Sequence, residues 1–540
     1  MKLNIRKLAV AVVATVAGGG LAIGQSAIDA YNISQTSLRG TARFVAMGGA
    51  FTSLGGDIST LSQNPAGIGM YRKSEMAVSM DFNFRRFTTT AGNDVMKSSK
   101  NPVYFDNVGY VGTQRLNGAM RNFNWGVSYS RVNSFQRNFS GYNSSTSTSM
   151  SNYIASFTNG INSDELAFSE NYNPYKDSGY DWMSILAYNT FMINNPGSDR
   201  TQYQGLYGQG TKGDAYYEMR ENGYVDEYSI DLGGNVSDLV YWGLGVGIQD
   251  MSYTREGMYS ESMENANVFN PTDGRLVKGN AGFNLLSRQN ISGTGCNLKF
   301  GLIVRPIDEL RIGVAVHTPT WYHLNHYGDG EVDFNYTPNG STKTHSGNEY
   351  TDTYDFDSRI NTPWRLMFGA STVLGGRAIV SLDYEYQAYN NMSVKYQQYN
   401  SYGWGGSFVA DEAVNSDIKT YFMGTSIVRL GLEYRLTSNW SLRAGYNYQT
   451  GGVRSDVLDN RVDVSTSGTD LSYTLNRSTQ YLSCGIGYRY GGWYIDAAYQ
   501  WRHRNSDFHP YTPFDSYADT PSCKLDENIH SLTLTTGFRF

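Results

Sequence analysis

A transmembrane β-barrel of fourteen antiparallel strands, all-β and with long extracellular loops, is the fold that this 540-residue sequence predicts. Three observations lead there. Apolar residues recur with period two in about fourteen separate segments. Short turns alternate with long polar connections, and aromatic residues stand at the strand ends. Composition narrows the alternatives. Tyr (43) and Gly (59) are abundant, while charged residues make up only 17%, against roughly a quarter in ordinary soluble domains. After residue 24 no apolar run approaches the roughly 20 residues of a membrane helix, which excludes a helical membrane protein. Three cysteines exclude a disulfide-stapled scaffold and a zinc framework. A net charge of -6 without a long basic run gives no footprint for nucleic acid.

The elements follow in chain order. Lys2, Arg6 and Lys7 precede an apolar stretch from Leu8 to Ala17, and small residues end at Ala22-Ile23-Gly24. A charged start, a short apolar core and a small-residue cleavage site describe a secretory signal peptide over residues 1–24. Export of a barrel of this kind implies the outer membrane of a Gram-negative bacterium, with membrane lipid and lipopolysaccharide around the wall. Residues 25–73 are Gly-rich and mildly apolar without sustained alternation, and the barrel with its loops is assigned to residues 74–540. Its first strand is the cleanest, with Met76, Val78, Met80, Phe82 and Phe84 in one phase. Comparable rows include Phe123–Tyr129, Trp242–Ile248, Cys296–Val304, Leu310–Val316, Val428–Tyr434, Leu482–Tyr488 and Leu532–Phe540. Short turns are expected near 116–121, 237–238, 306–309, 375–376, 437–439 and 491–492. Long loops are expected near 85–102, 137–223, 256–290, 319–358, 388–421, 450–478 and 503–527.

Two features break the pattern. Within 137–223, the apolar residues Trp182, Ile185 and Leu186, continuing to Ile193, fit a short amphipathic helix that Pro196 and Gly197 would stop. Such a helix either packs over the barrel rim or lines a ligand groove. In the third strand the phase fails after Tyr129, where Arg131 enters the apolar register. A bulge or kink over Arg131, Val132, Asn133 and Ser134 is the expected consequence. A second slip follows Ile248, at Met251 and Tyr253, and is read as the strand leaving the membrane band.

The segment Arg39–Thr52, with its Met-Gly-Gly-Ala-Phe-Thr run, and the Asn64-Pro65-Ala66-Gly67 element resemble the N-terminal hatch of the FadL family. These are outer-membrane transport proteins for long-chain fatty acids and other hydrophobic molecules. The likeness is strong over about residues 38–84, continues through the strands in Arg305-Pro306, Leu310–Gly313 and Thr318-Pro319, and does not extend to the long loops. It implies a fourteen-stranded barrel plugged by residues 25–73, gated at Asn64, Pro65 and Ala66. It leaves Phe44, Met47, Phe51, Leu54 and Leu61 as candidates to touch ligand or to pack the plug against the wall. It also implies lateral release through the kinked third strand. Strand glycines at 243, 245, 247, 485 and 487 could make room for the plug.

No nucleophile motif or triad is present, so no enzymatic activity is expected, and no cofactor or metal. His317, His323 and His326 lie near one another in sequence but lack a Cys or acidic cluster beside them. The expected function is passive uptake of a hydrophobic small molecule by a monomeric channel with an apolar inner pocket. The alternative is a FadL-like barrel serving as a binding or scaffold component of a protein secretion system.

Overall fold

The computed structural model describes residues 25–195, 197, 199–398, 406–466, 468–514 and 520–540. The expected leader, residues 1–24, and the helix stop expected at Pro196 lie outside them.

Fourteen strands form the wall: β1 (Glu75–Ala91), β2 (Val103–Arg115), β3 (Met120–Ser134), β4 (Lys212–Val236), β5 (Val240–Phe269), β6 (Leu276–Val304) and β7 (Leu310–His317). The second half comprises β8 (Arg365–Leu374), β9 (Ala378–Ala388), β10 (Gly424–Arg435), β11 (Trp440–Gln449), β12 (Tyr473–Tyr490), β13 (Trp493–His509) and β14 (Cys523–Arg539). Each pairs antiparallel with the next, and β14 returns to β1 from Glu75↔Arg539 to Thr90↔Lys524. Closure removes the exposed sheet edge that lipid would leave unsatisfied. The short turns fall where expected. Ser237 and Asp238 take φ of 55° and 57°, and Gly375 and Gly376 take 57° and 64°, the left-handed pair that matches hairpin twist.

The outward faces carry an apolar band. On β5 it comprises Leu244, Val246 and Ile248; on β6 Leu298, Phe300 and Leu302; on β10 Val428, Leu430 and Leu432, all exposed. Trp242, Trp440 and Trp493 border it on the short-turn side, and Tyr228, Trp321 and Tyr448 on the other. Seven to nine residues of tilted strand give a band about 20–25 Å high, the height a bilayer core requires of such barrels. No helix among the described residues is long and apolar enough to cross a membrane.

Several expected loops are wall instead. β5 runs about 20 residues past Ile248, on the order of 65 Å of strand, and its pairing with β6 passes Ile248↔Cys296, Met251↔Gly293 and Tyr253↔Ile291 without a shift. The slip after Ile248 is therefore a change of environment. Below that level the outward parity is apolar; above it the inward parity is, through Met251, Tyr253, Tyr259 and Met263. Much of 256–290 and 319–358 belongs to this stem, including the strand Trp321–Pro338 that continues β7 beside β6. The regions 85–102 and 503–527 likewise contain paired strand, among them Asp94–Lys100 against β1. Solvated stem strands lack an apolar outer face, so their sequence reads as loop.

The stem is filled by its own core. The described residues between 144 and 211 fold over it with α3 and α4 among their helices, counting α1 (Ala27–Ser34) and α2 (Ala42–Ala46) upstream. α3 is Met150–Thr158 and α4 is Trp182–Asn189. Asp181 caps α4 by accepting from Met183 N at 2.8 Å. The helix ends where Phe191 turns to φ 65°, before the expected stop.

Candidate functional site

Residues 25–71 are mostly buried and pack among the inward faces of the wall strands, while Arg72 and Lys73 are exposed. Ser26 and Asp29 close a capping box on α1, which packs in the stem against Val225, Met251, Ile291 and Leu324. Thr41 caps α2. Asn64 caps the 3₁₀ turn Pro65–Met70 by accepting from Ala66 N at 3.0 Å, with Pro at the first position where no N–H is needed.

Polar contacts fasten the segment to the wall. Thr52 N donates to Asp383 at 2.7 Å, and Ala42 N donates to Thr535 Oγ1 at 2.7 Å. Arg43 pairs with Glu433 at 2.8 Å, and Arg39 with Asp106 at 2.8 Å and Asp81 at 3.2 Å. Asn122 and Asn124 donate to Tyr71 O and Ile68 O, each at 2.5 Å. Close backbone approach is permitted by glycine. A Cβ on Gly243 would overlap Pro65, one on Gly485 would stand 2.6 Å from Ala46 Cβ, and Gly301, Gly313 and Gly445 serve Asn64, Thr52 and Gly48 in the same way. Gly245, Gly247 and Gly487 face Asp231, Asn297 and Asp496 instead; they make room for lumenal side chains of the wall.

The third strand is interrupted. Pairing of β2 with β3 ends at Asn107↔Ser130, and the β3–β4 register shifts between Arg131 and Asn133. The chain resumes pairing with β4 at Arg137–Asn143. Within the break, Val132 O accepts from Ser37 N at 3.1 Å and Ser37 Oγ at 3.2 Å, so the carbonyl is held by the lumenal segment. Arg131 grips Asp226 with two bonds, 2.8 and 3.0 Å, and lies 5.0 Å from the Tyr104 ring centroid. Ser134 Oγ donates to Tyr104 Oη at 3.1 Å.

A cavity with about 710 Å³ of atom-free space adjoins this break. Leu38, Phe44, Val132, Ile427 and Tyr481 give it apolar surface; Arg39, Arg131, Glu227, Arg365, Arg429 and Asn447 give it charge and hydrogen-bonding groups. The expected apolar pocket is thus of mixed character. Its ions are bound in networks: Glu385 with Arg365 at 2.7 Å and with Arg429, and Glu227 with Lys299 and with Gln249 at 2.8 Å. These residues occupy the polar parity of strands whose apolar parity faces out, a signal available in the alternation itself.

Of the hatch candidates, Phe44 lines this cavity. Met47, Phe51 and Leu54 cluster with Leu38 and Tyr481, and Leu61 packs with Ile58, Ile68, Val111 and Tyr494. Trp182, Ile185 and Leu186 are buried in the core of the stem, far along the chain from the lumenal segment and packed against protein. The histidines do not converge. His317 Nε2 lies 2.7 Å from Gln63 O, His326 stacks on Phe356, and His323 faces Asp357 at 3.8 Å. No group of three or more His, Cys, Asp or Glu able to hold a metal occurs among the described residues.

No family model and no curated protein matches the chain. Among solved structures, it is similar to a Pseudomonas aeruginosa FadL homologue, at 11% identity and TM-score 0.49, over 94% of this chain and 99% of that one. The Pseudomonas putida toluene transporter TodX shows 12% identity and TM-score 0.47 over 93% and 99% of the two chains. The Ralstonia pickettii toluene transporter TbuX shows 13% and 0.45 over 93% and 99%.

Proposed function

We propose that this barrel is a passive outer-membrane channel for hydrophobic small molecules such as long-chain fatty acids. Residues 25–73 act as its hatch, gated around Asn64, Pro65 and Ala66, and ligand leaves sideways through the break at Arg131, Val132, Asn133 and Ser134. The observation that carries the reading is the coincidence of three things at one place. The wall loses strand pairing at β3, a lumenal cavity opens beside it, and Ser37 of the inner segment holds the carbonyl of Val132. The resemblance of Met47–Thr52 and Asn64–Gly67 to FadL hatch elements supports the same reading.

The physics of such a channel sets its requirements. Apolar solutes cross lipid readily but not the polar layer outside it. Burial yields about 0.8 kcal/mol per methylene, so a long acyl chain offers roughly 10 kcal/mol before ordering costs. Binding of that strength needs a conformational change for release. A segment fastened by many individually modest polar bonds can move stepwise. The charged part of the cavity suits an amphiphile better than a pure hydrocarbon, with Phe44, Leu38 and Tyr481 against the chain.

Mass spectrometry of lipids extracted from purified protein, paired with uptake of labelled oleate by cells with and without the protein, tests the proposal. A co-purifying hydrophobic ligand and protein-dependent uptake are expected; neither ligand nor uptake would sink it. The stem and its cap, projecting well beyond the apolar band, favour the second reading, a binding or scaffold role in protein secretion. Recovery of a stoichiometric protein partner without hydrophobic ligand would select it.

A further inference from the structure

We infer that a second lumenal cavity binds the doubly charged oxyanion head of an amphiphile, in chemical class a phosphate monoester. The cavity, about 430 Å³ of atom-free space with its open mouth included, lies beside Asn133, Ser134 and Phe135 of the interrupted strand. Between it and the first cavity lies a third, which shares the lining residues Gln35, Asn133, Arg502 and Arg504 with one and Ser37 and Tyr481 with the other.

Its lining carries Arg85, Arg137, Arg502 and Arg504 against Glu221 and Glu527. Glu527 is shared: Arg504 reaches it at 2.7 and 3.0 Å, Arg137 at 3.0 Å and Arg502 at 3.5 Å. Glu221 faces Arg137 at 3.2 Å and accepts from Tyr253 Oη at 3.1 Å. The neighbouring Arg255 is matched by Asp470 at 3.1 Å. Arg85 has no carboxylate within ion-pair distance among the described residues; it donates to Gln136 O at 2.6 Å and Ser134 Oγ at 3.4 Å. The cavity therefore holds two positive charges beyond its own carboxylates.

The donors tell the same story. The Nε of all four arginines is buried without a hydrogen-bond acceptor among the described residues, and Arg85, Arg137 and Arg504 are buried as whole residues. Buried guanidinium groups are tolerated when paired and hydrogen-bonded. Two uncompensated charges on a cluster of four arginines with unmet N–H donors fit a tetrahedral oxyanion with several acceptor oxygens and two negative charges. A single carboxylate would meet half the charge. Height completes the assignment. Phe84 is the last exposed apolar residue on β1 and Arg86 the next outward position, so Arg85 stands at the outer rim of the apolar band. A head group held there leaves its tail beside the break in β3, at the depth of lipid chains.

The inference rests on the channel reading for the ligand's route, whereas the site itself is tested by binding. Calorimetric titration of the purified full chain in a neutral maltoside detergent compares octyl phosphate, octanoate and octanol. Octyl phosphate is expected to bind on the order of tenfold more tightly than octanoate at pH 8, one charge-assisted contact's worth. Its advantage should fade below about pH 6, where a phosphate monoester loses its second charge. Arg85→Gln should weaken octyl phosphate on the order of tenfold and leave octanol unchanged, while Arg85→Lys retains most of the affinity. R85Q is chosen because it strips no carboxylate of its partner; heat-modifiable gel migration checks that the barrel has formed, and R504Q provides a second variant. Equal affinity for octyl phosphate and octanol, or phosphate affinity indifferent to both glutamine variants, overturns the assignment. Absent oleate uptake with intact phosphate binding would instead reject the transport reading and leave the site standing.

Discussion

Gly301→Ala should unseat the inner segment while leaving the wall intact. The added Cβ would overlap Asn64 Oδ1 and stand 2.8 Å from Ala66 N, and the second of these is backbone that cannot rotate away. Asn64, fully buried, would lose its bonds from Nδ2 to Thr52 O at 2.5 Å and Val314 O at 3.4 Å, and from Ala66 N at 3.0 Å. Two buried hydrogen bonds and a longer, partly buried third, at about 1 kcal/mol net each, make roughly 3 kcal/mol, about two decades in the seated-to-released ratio. The assay is protease protection of residues 25–73 in the purified protein, together with ion conductance in planar bilayers. G301A should expose the segment and raise conductance. Asn64→Ala, which loses the same side-chain bonds without the overlap, should act in the same direction and more weakly. The neighbouring lipid-facing Leu302→Ala should do neither. A G301A protein as protected and as silent as its parent would refute the idea that Asn64 seats the segment against β6.

Other expectations follow from single contacts. Cys296 and Cys484 lie exposed on the outward face and Cys523 is buried, so in membranes a water-soluble maleimide should label none of them efficiently, while detergent extraction or an apolar maleimide should reveal the first two. Arg131→Ala leaves Asp226 without its two-bond partner and should cost about 3 kcal/mol in urea unfolding followed by gel shift, with the double variant R131A/D226A recovering much of it. In the cap, burial lifts the Asp181 carboxyl from 3.8 to about 6. The folded cap then keeps a proton that the unfolded chain releases, so its stability falls as pH rises from about 4 to 6. Cap proteolysis should quicken over that window, and Asp181→Asn, which keeps the acceptor for Met183 N, should flatten the profile.

How much of this was legible in the sequence depended on which side of a strand met which solvent. Rows such as Trp242–Ile248 and Val428–Tyr434 announced themselves because lipid outside and a polar lumen inside impose strict alternation. The short turns followed from their spacing, and the break at Arg131 from a charged residue in an apolar register. The stem was not legible. Beyond Ile248 the same β5 backbone continues unbroken, yet its outward residues Asp250, Ser252 and Thr254 look like loop. Its inward Met251 and Tyr253 fall in the opposite parity, which resembles a slip. The cavity's character was missed for a related reason. Asp226, Glu385 and Arg429 belong to the polar phase of their strands, which a closed barrel gathers into one interior space. The arginine cluster joins β1, the strand after the break and β13; Arg85 and Arg504 stand 419 residues apart, and only closure of the wall brings them together.

The path of the inner segment has a mechanical corollary. The described chain starts in the stem, where Ser358 Oγ donates to Gln25 Oε1 at 2.9 Å. It descends past the break in β3 and leaves at the short-turn end, where Gly69 abuts Gly234 before Glu75 begins β1. Its lower end runs covalently into β1, and the described residues above it meet the wall through contacts. On the proposed route a ligand coming from the stem reaches the Ser37–Val132 contact before the Asn64 seat. Were the segment displaced, its link to β1 would keep its effective concentration at its own binding surface above that of a free peptide.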